Sequence, residues 1–149
     1  MTPEIRPATA DDLPEVHRML IALAAHLGDQ AAITPALLRA VLDQPGTQLL
    51  VACLADSPAR HPVGYALLTQ RRNLISGDTA AVIEHLFVQM PFRKLGLGRA
   101  LIAAARGAAQ AQGAAGLTLA APGAQAARAC RALGLTELPA TGPRFAVAL

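Results

Sequence analysis

An almost unbroken apolar run, AAVIEHLFV (80–88), leads into FRKLGLGRALI (92–102). Across that join the hydrophobic period changes from that of a strand to that of a helix. Glycines stand at 96 and 98, with Arg93, Lys94 and Arg99 around them. The helical pattern continues over about 97–112 and stops at Gly113, and a second apolar run, GLTLAA (116–121), follows. A strand, a helix and a strand in this order make a crossover, so the strands at 80–88 and 116–121 are expected to be parallel neighbours.

The join itself suits an anion. Glycine lets the backbone turn sharply and present bare N–H groups. The helix start adds its partial positive charge, and three cations add full ones. Two well-known phosphate loops do not fit. A P-loop needs GxxxxGK[ST], which neither Gly96 nor Gly98 begins. A dinucleotide fingerprint needs a third glycine where this chain has Leu101. What remains is Arg93-x-x-Gly96-x-Gly98, which fits a pyrophosphate held mainly by backbone.

The rest of the chain reads in order. EIRPAT (4–9) is a short strand stopped by Pro7, and Thr9 caps a helix over 10–26 whose Asp11, Asp12 and Glu15 sit at its positive end. Leu13, Val16, Leu20, Leu23 and Leu27 mark its buried stripe. Thr34-Pro35 opens a second helix over 35–43. Strands follow at 47–55, 63–70 and 80–88, with turns at 56–62 and 71–78. After the strand at 116–121 come a helix over 123–133, ended by Gly134, and a last strand, PRFAVAL (143–149). The order β-α-α-β-β-β-α-β-α-β predicts an α/β (α+β) fold, with one mixed, mostly antiparallel sheet flanked by helices. The 149 residues show no repeat or linker and are expected to form a single domain, 1–149.

Composition removes several function classes. The net charge of +3 is small and the chain has only three Phe, one Tyr and no Trp, so a nucleic-acid surface of clustered cations and aromatics is not expected. Arg71-Arg72 reads as solvated surface. Cys53 and Cys130 form no CxxC and no zinc spacing, so no metal is expected. The start MTPEIRPATADDL lacks a signal peptide's apolar core, and no run approaches the roughly 18 residues of a membrane span. A soluble, cytoplasmic protein is expected.

With these motifs in place, the chain resembles the GCN5-related N-acetyltransferases (GNAT) along nearly its whole length. IRPATADDLPEVHRML is similar to their opening strand and helix, IEHLFVQMPFRKLGLGRALI to their central strand and acetyl-CoA loop, and AARACRALGL to their late helix. The opening segment and VIEHLFV look most like the diamine acetyltransferase branch. There are three departures: Gly123 where the late motif usually has Asn, Cys130 where it often has Tyr, and His85 where the diamine branch usually has a second acid.

The resemblance implies an acetyl-CoA-dependent N-acetyltransferase acting on a primary amine of a small molecule or peptide. Leu86, Phe87, Val88, Arg93, Lys94, Leu95, Gly96, Leu97, Gly98 and Arg99 would hold acetyl-CoA. It also implies a bulge in the central strand, a backbone N–H near Phe87 or Val88 to stabilise an oxyanion, and a homodimer paired through the final strand. A non-catalytic acyl-CoA sensor on the same fold is the alternative.

The chemistry needs a base, because an alkyl ammonium with a pKa of about 10.4 is only about 0.04% neutral at pH 7. Glu84 is the candidate, as an acid inside an apolar strand. Plain strand alternation puts it on the face of Leu86 and Val88, opposite His85 and Phe87. His85 could be the base instead, or line the acceptor side. Cys130 reads as a small helix residue rather than an acid, and Tyr65 as a sheet residue. Asp29, Thr136, Glu137 and Thr141 would border the acceptor.

Overall fold

A computed structural model of the protein describes residues 2–56, 61–119, 124–138, 143 and 145–148. Strand β1 (Pro3–Pro7) enters a short 3-10 turn at Ala10–Asp12 and then helix α1 (Leu13–His26). Helix α2 (Pro35–Leu42) follows, with Thr34 Oγ1 accepting the Leu37 N–H at 3.2 Å as its cap. Then come β2 (Thr47–Leu54), β3 (Gly64–Arg72), β4 (Thr79–Val88), α3 (Leu97–Ala111), β5 (Gly116–Leu119) and α4 (Ala124–Ala132). The sheet order is β1-β2-β3-β4-β5. Three antiparallel pairings precede the parallel β4–β5 pair, which is the pair the crossover through α3 requires.

Two apolar clusters sandwich the sheet. On one face Leu97, Leu101, Ile102, Ala105 and Ala109 of α3 pack on Leu50, Ala52, Ala66, Leu68, Ala81 and Ile83. On the other, Leu13, Val16 and Met19 of α1 and Leu38 of α2 pack on Leu49, Val51, Cys53, Tyr65 and Phe87. Fully burying a leucine contributes on the order of 1.5–3 kcal/mol, so these stripes fix which way each helix faces.

Three expectations change. Helix α1 starts later than residue 10, because Asp12 is drawn into a buried staple: Arg6 donates to both its carboxylate oxygens at 2.7 and 2.9 Å, and the Thr9 N–H donates to it at 2.8 Å. Met19 is buried beside Leu13 and Val16 and so belongs to the stripe, whereas Leu27 stands past the last helical residue and is exposed. Strand β3 runs on through Arg71 and Arg72, because they pair with Ala80 and Thr79 and tighten the turn to 73–78. The last strand expected over 143–149 lies partly outside the described residues. Its described part, 143 and 145–148, is in no strand, and Phe145 (92% exposed) and Val147 (81%) have no sheet neighbour to cover them.

Candidate active site

The centre of the site is a bulge in β4. Leu67 pairs with His85, but the next residue, Leu68, pairs with Ile83. Glu84 is therefore the extra residue. A one-residue insertion reverses the alternation beyond it. Ile83 and then Leu86 and Val88 face the α3 cluster, while Phe87 faces α1 and α2. Glu84 Oε1 accepts the Thr69 hydroxyl at 2.9 Å, and the His85 Nδ1 lies 3.2 Å from the Tyr65 hydroxyl. Tyr65, Leu67 and Thr69 alternate onto the α1/α2 face of β3. Glu84 and His85 thus share that face, which corrects plain alternation: Glu84 is not on the side of Leu86 and Val88.

The two side chains differ in environment. Glu84 is exposed. His85 is half-buried, and burial lowers its pKa more than the neighbouring Glu84 charge raises it, so the ring is neutral at pH 7. Tyr65 is only 1% exposed, and burial pushes its phenol well above the ordinary range, so it keeps its proton. Its ring stands edge-on to His85, with centroids 6.2 Å apart.

The bulge also sorts the backbone. The Gln89 N–H donates to the Val63 C=O at 2.9 Å, and Gly64 is opposite Val88. Bonded and non-bonded pairs alternate in an antiparallel ladder. The N–H groups of Phe87 and His85 therefore serve the β3 ladder, and those of Leu86 and Val88 point to the other edge of β4. The described β5 pairs with that edge only from Ala80 to Ile83. Of the two donors expected, Phe87 is committed to β3. Leu86, two residues earlier than Val88, takes its place at the edge that no described strand covers.

Beyond β4 the chain reaches α3 through Arg93–Gly96. The Arg93 Nε donates to the Val88 C=O at 2.8 Å, and its guanidinium stands 5.6 Å from the centre of the Phe87 ring. Lys94 has φ 66°, and Gly96 (φ 83°) is the residue before the first helical one. The first backbone N–H of α3 with a helical partner is that of Ala100, bonded to the Gly96 C=O at 3.0 Å. Those of Leu97, Gly98 and Arg99 stand at the open end of the helix. Arg93, Lys94 and Arg99 are exposed and take part in no ion pair among the described residues. Leu95 is largely exposed, but the Leu97 side chain is buried in the α3 cluster, so only its backbone can reach a ligand.

Gly98 tests whether this end fits a phosphate. Its φ is ordinary, and a Cβ built there meets nothing within 4 Å. Neither conformation nor the protein's own packing calls for glycine at this position. A Cβ there would stand in open space at the helix start.

Other expected residues have partners of their own or lie outside the described residues. Asp29 Oδ1 accepts the Gln30 N–H, and Glu137 pairs with Arg131 at 2.7 Å on the surface. Cys130 is half-buried in α4, and its C=O accepts the N–H groups of Leu133 and Leu135. Gly123 and Thr141 lie outside the described residues. Among the described residues no three His, Cys, Asp or Glu side chains could hold a metal, and no helix is long and apolar enough to cross a membrane. Sequence reading missed Thr69, and gave Tyr65 no part beyond the sheet. The alternation 65-67-69 could have placed both on one face, but only the bulge brings Glu84 and His85 to them.

A family model described as Acetyltransferase (GNAT) family matches residues 17–135. No curated protein is similar enough in sequence to count as a match. Several solved structures share the fold. An acetyltransferase of Trypanosoma brucei is 22% identical, with 99% of this chain and 100% of that one covered and a TM-score of 0.75. An aminoglycoside acetyltransferase from an uncultured soil metagenomic sample, in complex with sisomicin, is 18% identical over 98% and 97%, with a TM-score of 0.81. A ribosomal-protein-alanine N-acetyltransferase of Brucella melitensis is 17% identical over 99% of each chain, with a TM-score of 0.77.

Proposed function

The chain belongs to the acetyltransferase (GNAT) family, and from that premise we propose that it transfers the acetyl group of acetyl-CoA to a primary amine of a small molecule or peptide. The observation that carries the donor side is the open start of α3, where Gly98 leaves room that the protein does not use. The backbone N–H groups of Leu97, Gly98 and Arg99 hold the pyrophosphate, with Arg93, Lys94 and Arg99 supplying charge. Bound there, acetyl-CoA supplies an activated acetyl thioester.

On the protein side, the Leu86 N–H, the nearer of the two to Glu84, donates to the thioester carbonyl oxygen, where negative charge grows during attack, and the Val88 N–H, about 7 Å further along the strand, does not reach the same oxygen. Glu84 removes the proton that makes the amine an ammonium and passes it to water. Its exposure suits a base that must exchange protons with solvent, and the Thr69 hydroxyl holds one carboxylate oxygen so that the other is free for the acceptor. A thiol pKa near 8.5 lets the thiolate leave at neutral pH and be reprotonated by solvent, so the absence of the late Tyr is tolerable. The named activities of two structural relatives, on an aminoglycoside and on a ribosomal protein's alanine, are consistent with an amine acceptor.

The exposed Phe145 and Val147 support self-association as a homodimer, and light scattering that gives a monomer at micromolar concentration would contradict it. The main test is thiol release from acetyl-CoA across a panel of amines. Acceptor-dependent release, with the acetylated amine identified by mass, is expected. Tight acetyl-CoA binding with no release from any amine would point instead to a non-catalytic acyl-CoA sensor.

A further inference from the structure

We infer that His85 is a fixed hydrogen-bond donor toward the acceptor, and that the acceptor is therefore an amine with an oxygen close to its nitrogen, such as an α-amino carbonyl compound, rather than a bare alkyl polyamine. This rests on the acetyl-transfer reading above. It starts from the buried Tyr65 hydroxyl, whose partner among the described residues is the His85 Nδ1, 3.2 Å away. A hydroxyl has one proton and two lone pairs, and leaving a buried donor unpaired costs more than leaving a lone pair unused. The Tyr65 O–H therefore donates to Nδ1. A neutral ring that accepts at Nδ1 carries its proton on Nε2.

The Nε2–H has no partner among the described residues. No buried side-chain nitrogen or oxygen of the described residues lacks a partner either. Nε2 must then be open to solvent, on the face that the bulge gives to Glu84. The groups that bear on the ring's charge are Glu84, which raises its basicity, and the burial against Tyr65 that outweighs it. The patch offers a carboxylate oxygen from Glu84 beside a directional N–H from His85. Its complement is an amine N–H with an accepting oxygen a few bonds away. An alkyl polyamine fills the first half and leaves the His85 N–H covered and unpaired, which a site built for a hydrogen bond disfavours.

The test has two arms. In the free protein, a long-range proton–nitrogen correlation spectrum of the imidazoles, assigned with His85→Gln, should show His85 protonated on Nε2. Protonation on Nδ1 would overturn the proposal, whatever the protein catalyses. In the assay, kcat/KM expressed per concentration of neutral amine, with each amine's own pKa taken into account, should be ten-fold or more higher for alaninamide than for propylamine and for 1,3-diaminopropane. His85→Ala should remove most of that preference, chiefly through KM, and His85→Gln, which keeps an N–H, should retain part of it. Equal use of the three amines by the native enzyme, or a preference unchanged in His85→Ala, would overturn the acceptor class. Absence of turnover with every amine would overturn the acetyl-transfer reading itself, and the acceptor class with it.

Discussion

Gly98→Ala should make this protein more stable and a poorer binder of acetyl-CoA. The position is the second residue of α3, in ordinary helical conformation, and the new Cβ meets nothing within 4 Å. Glycine in a helix costs roughly 0.5–1 kcal/mol relative to alanine, with the lower end fitting a first-turn position. For a chain of this size that raises the melting temperature by roughly 1–4 °C. The same methyl stands between an incoming phosphate and the helix N–H groups. Losing one charge-assisted hydrogen bond is worth about 1.5–3 kcal/mol, or about 10- to 150-fold in affinity. Thermal melts of the free protein and calorimetry with acetyl-CoA read the two effects separately. Gly64→Ala provides the contrast, because there a Cβ would stand 2.9 Å from the Phe87 carbonyl oxygen and 3.2 Å from Val88 Cγ2, and stability should fall by about 1–3 kcal/mol. If Gly98→Ala melts higher but binds acetyl-CoA as well as the native protein, the open helix start is not the pyrophosphate site. If it melts lower, the reading of free space at Gly98 is wrong.

Glu84→Gln should lower kcat/KM by roughly 10²- to 10⁴-fold and leave acetyl-CoA affinity unchanged, and a loss under about threefold at neutral pH would remove Glu84 from proton transfer. Asp12 should make folding acid-sensitive. Burial alone would raise its carboxyl pKa, but the Arg6 hydrogen bonds and charge and the Thr9 N–H hold it below the ordinary carboxylate value of about 3.9. Its contribution is therefore present in full above that value and is lost as pH falls through the lower folded one. Asp12→Asn should lose about 1–3 kcal/mol at pH 7 and converge with the native protein as pH falls below the ordinary carboxylate range, and denaturant curves of equal midpoint for the two at pH 7 would refute the staple. Cys130→Ala should leave kcat nearly unchanged at saturating acetyl-CoA and cost about 1 kcal/mol or less; a ten-fold fall in kcat with the melting temperature preserved would make Cys130 the acid.

Much of this protein is legible from local chemistry alone. The change of period at 88–97, the glycines at 96 and 98 and the cations around them mark a strand, an anion loop and a helix, because turn conformation and helix-end polarity are properties of a few neighbouring residues. The element order and the parallel β4–β5 pair follow in the same way, since a helical crossover between two strands leaves one favoured arrangement. Non-local pairing decided what the local pattern could not. The bulge depends on how β3 pairs with β4, two strands whose hydrophobic alternation reads equally well with or without an extra residue, and it moves Glu84 across the sheet. Arg6 captures Asp12 from another element and fixes the entry to α1, and packing buries Met19 while Leu27, past the end of the helix, stays exposed. Tyr65 and His85 are twenty positions apart, and neither marks the other until the register sets the hydroxyl beside the ring. The type of each element was settled by the residues within it, whereas which side chains meet at the site was settled by strand register, a property that two segments share and neither one encodes alone.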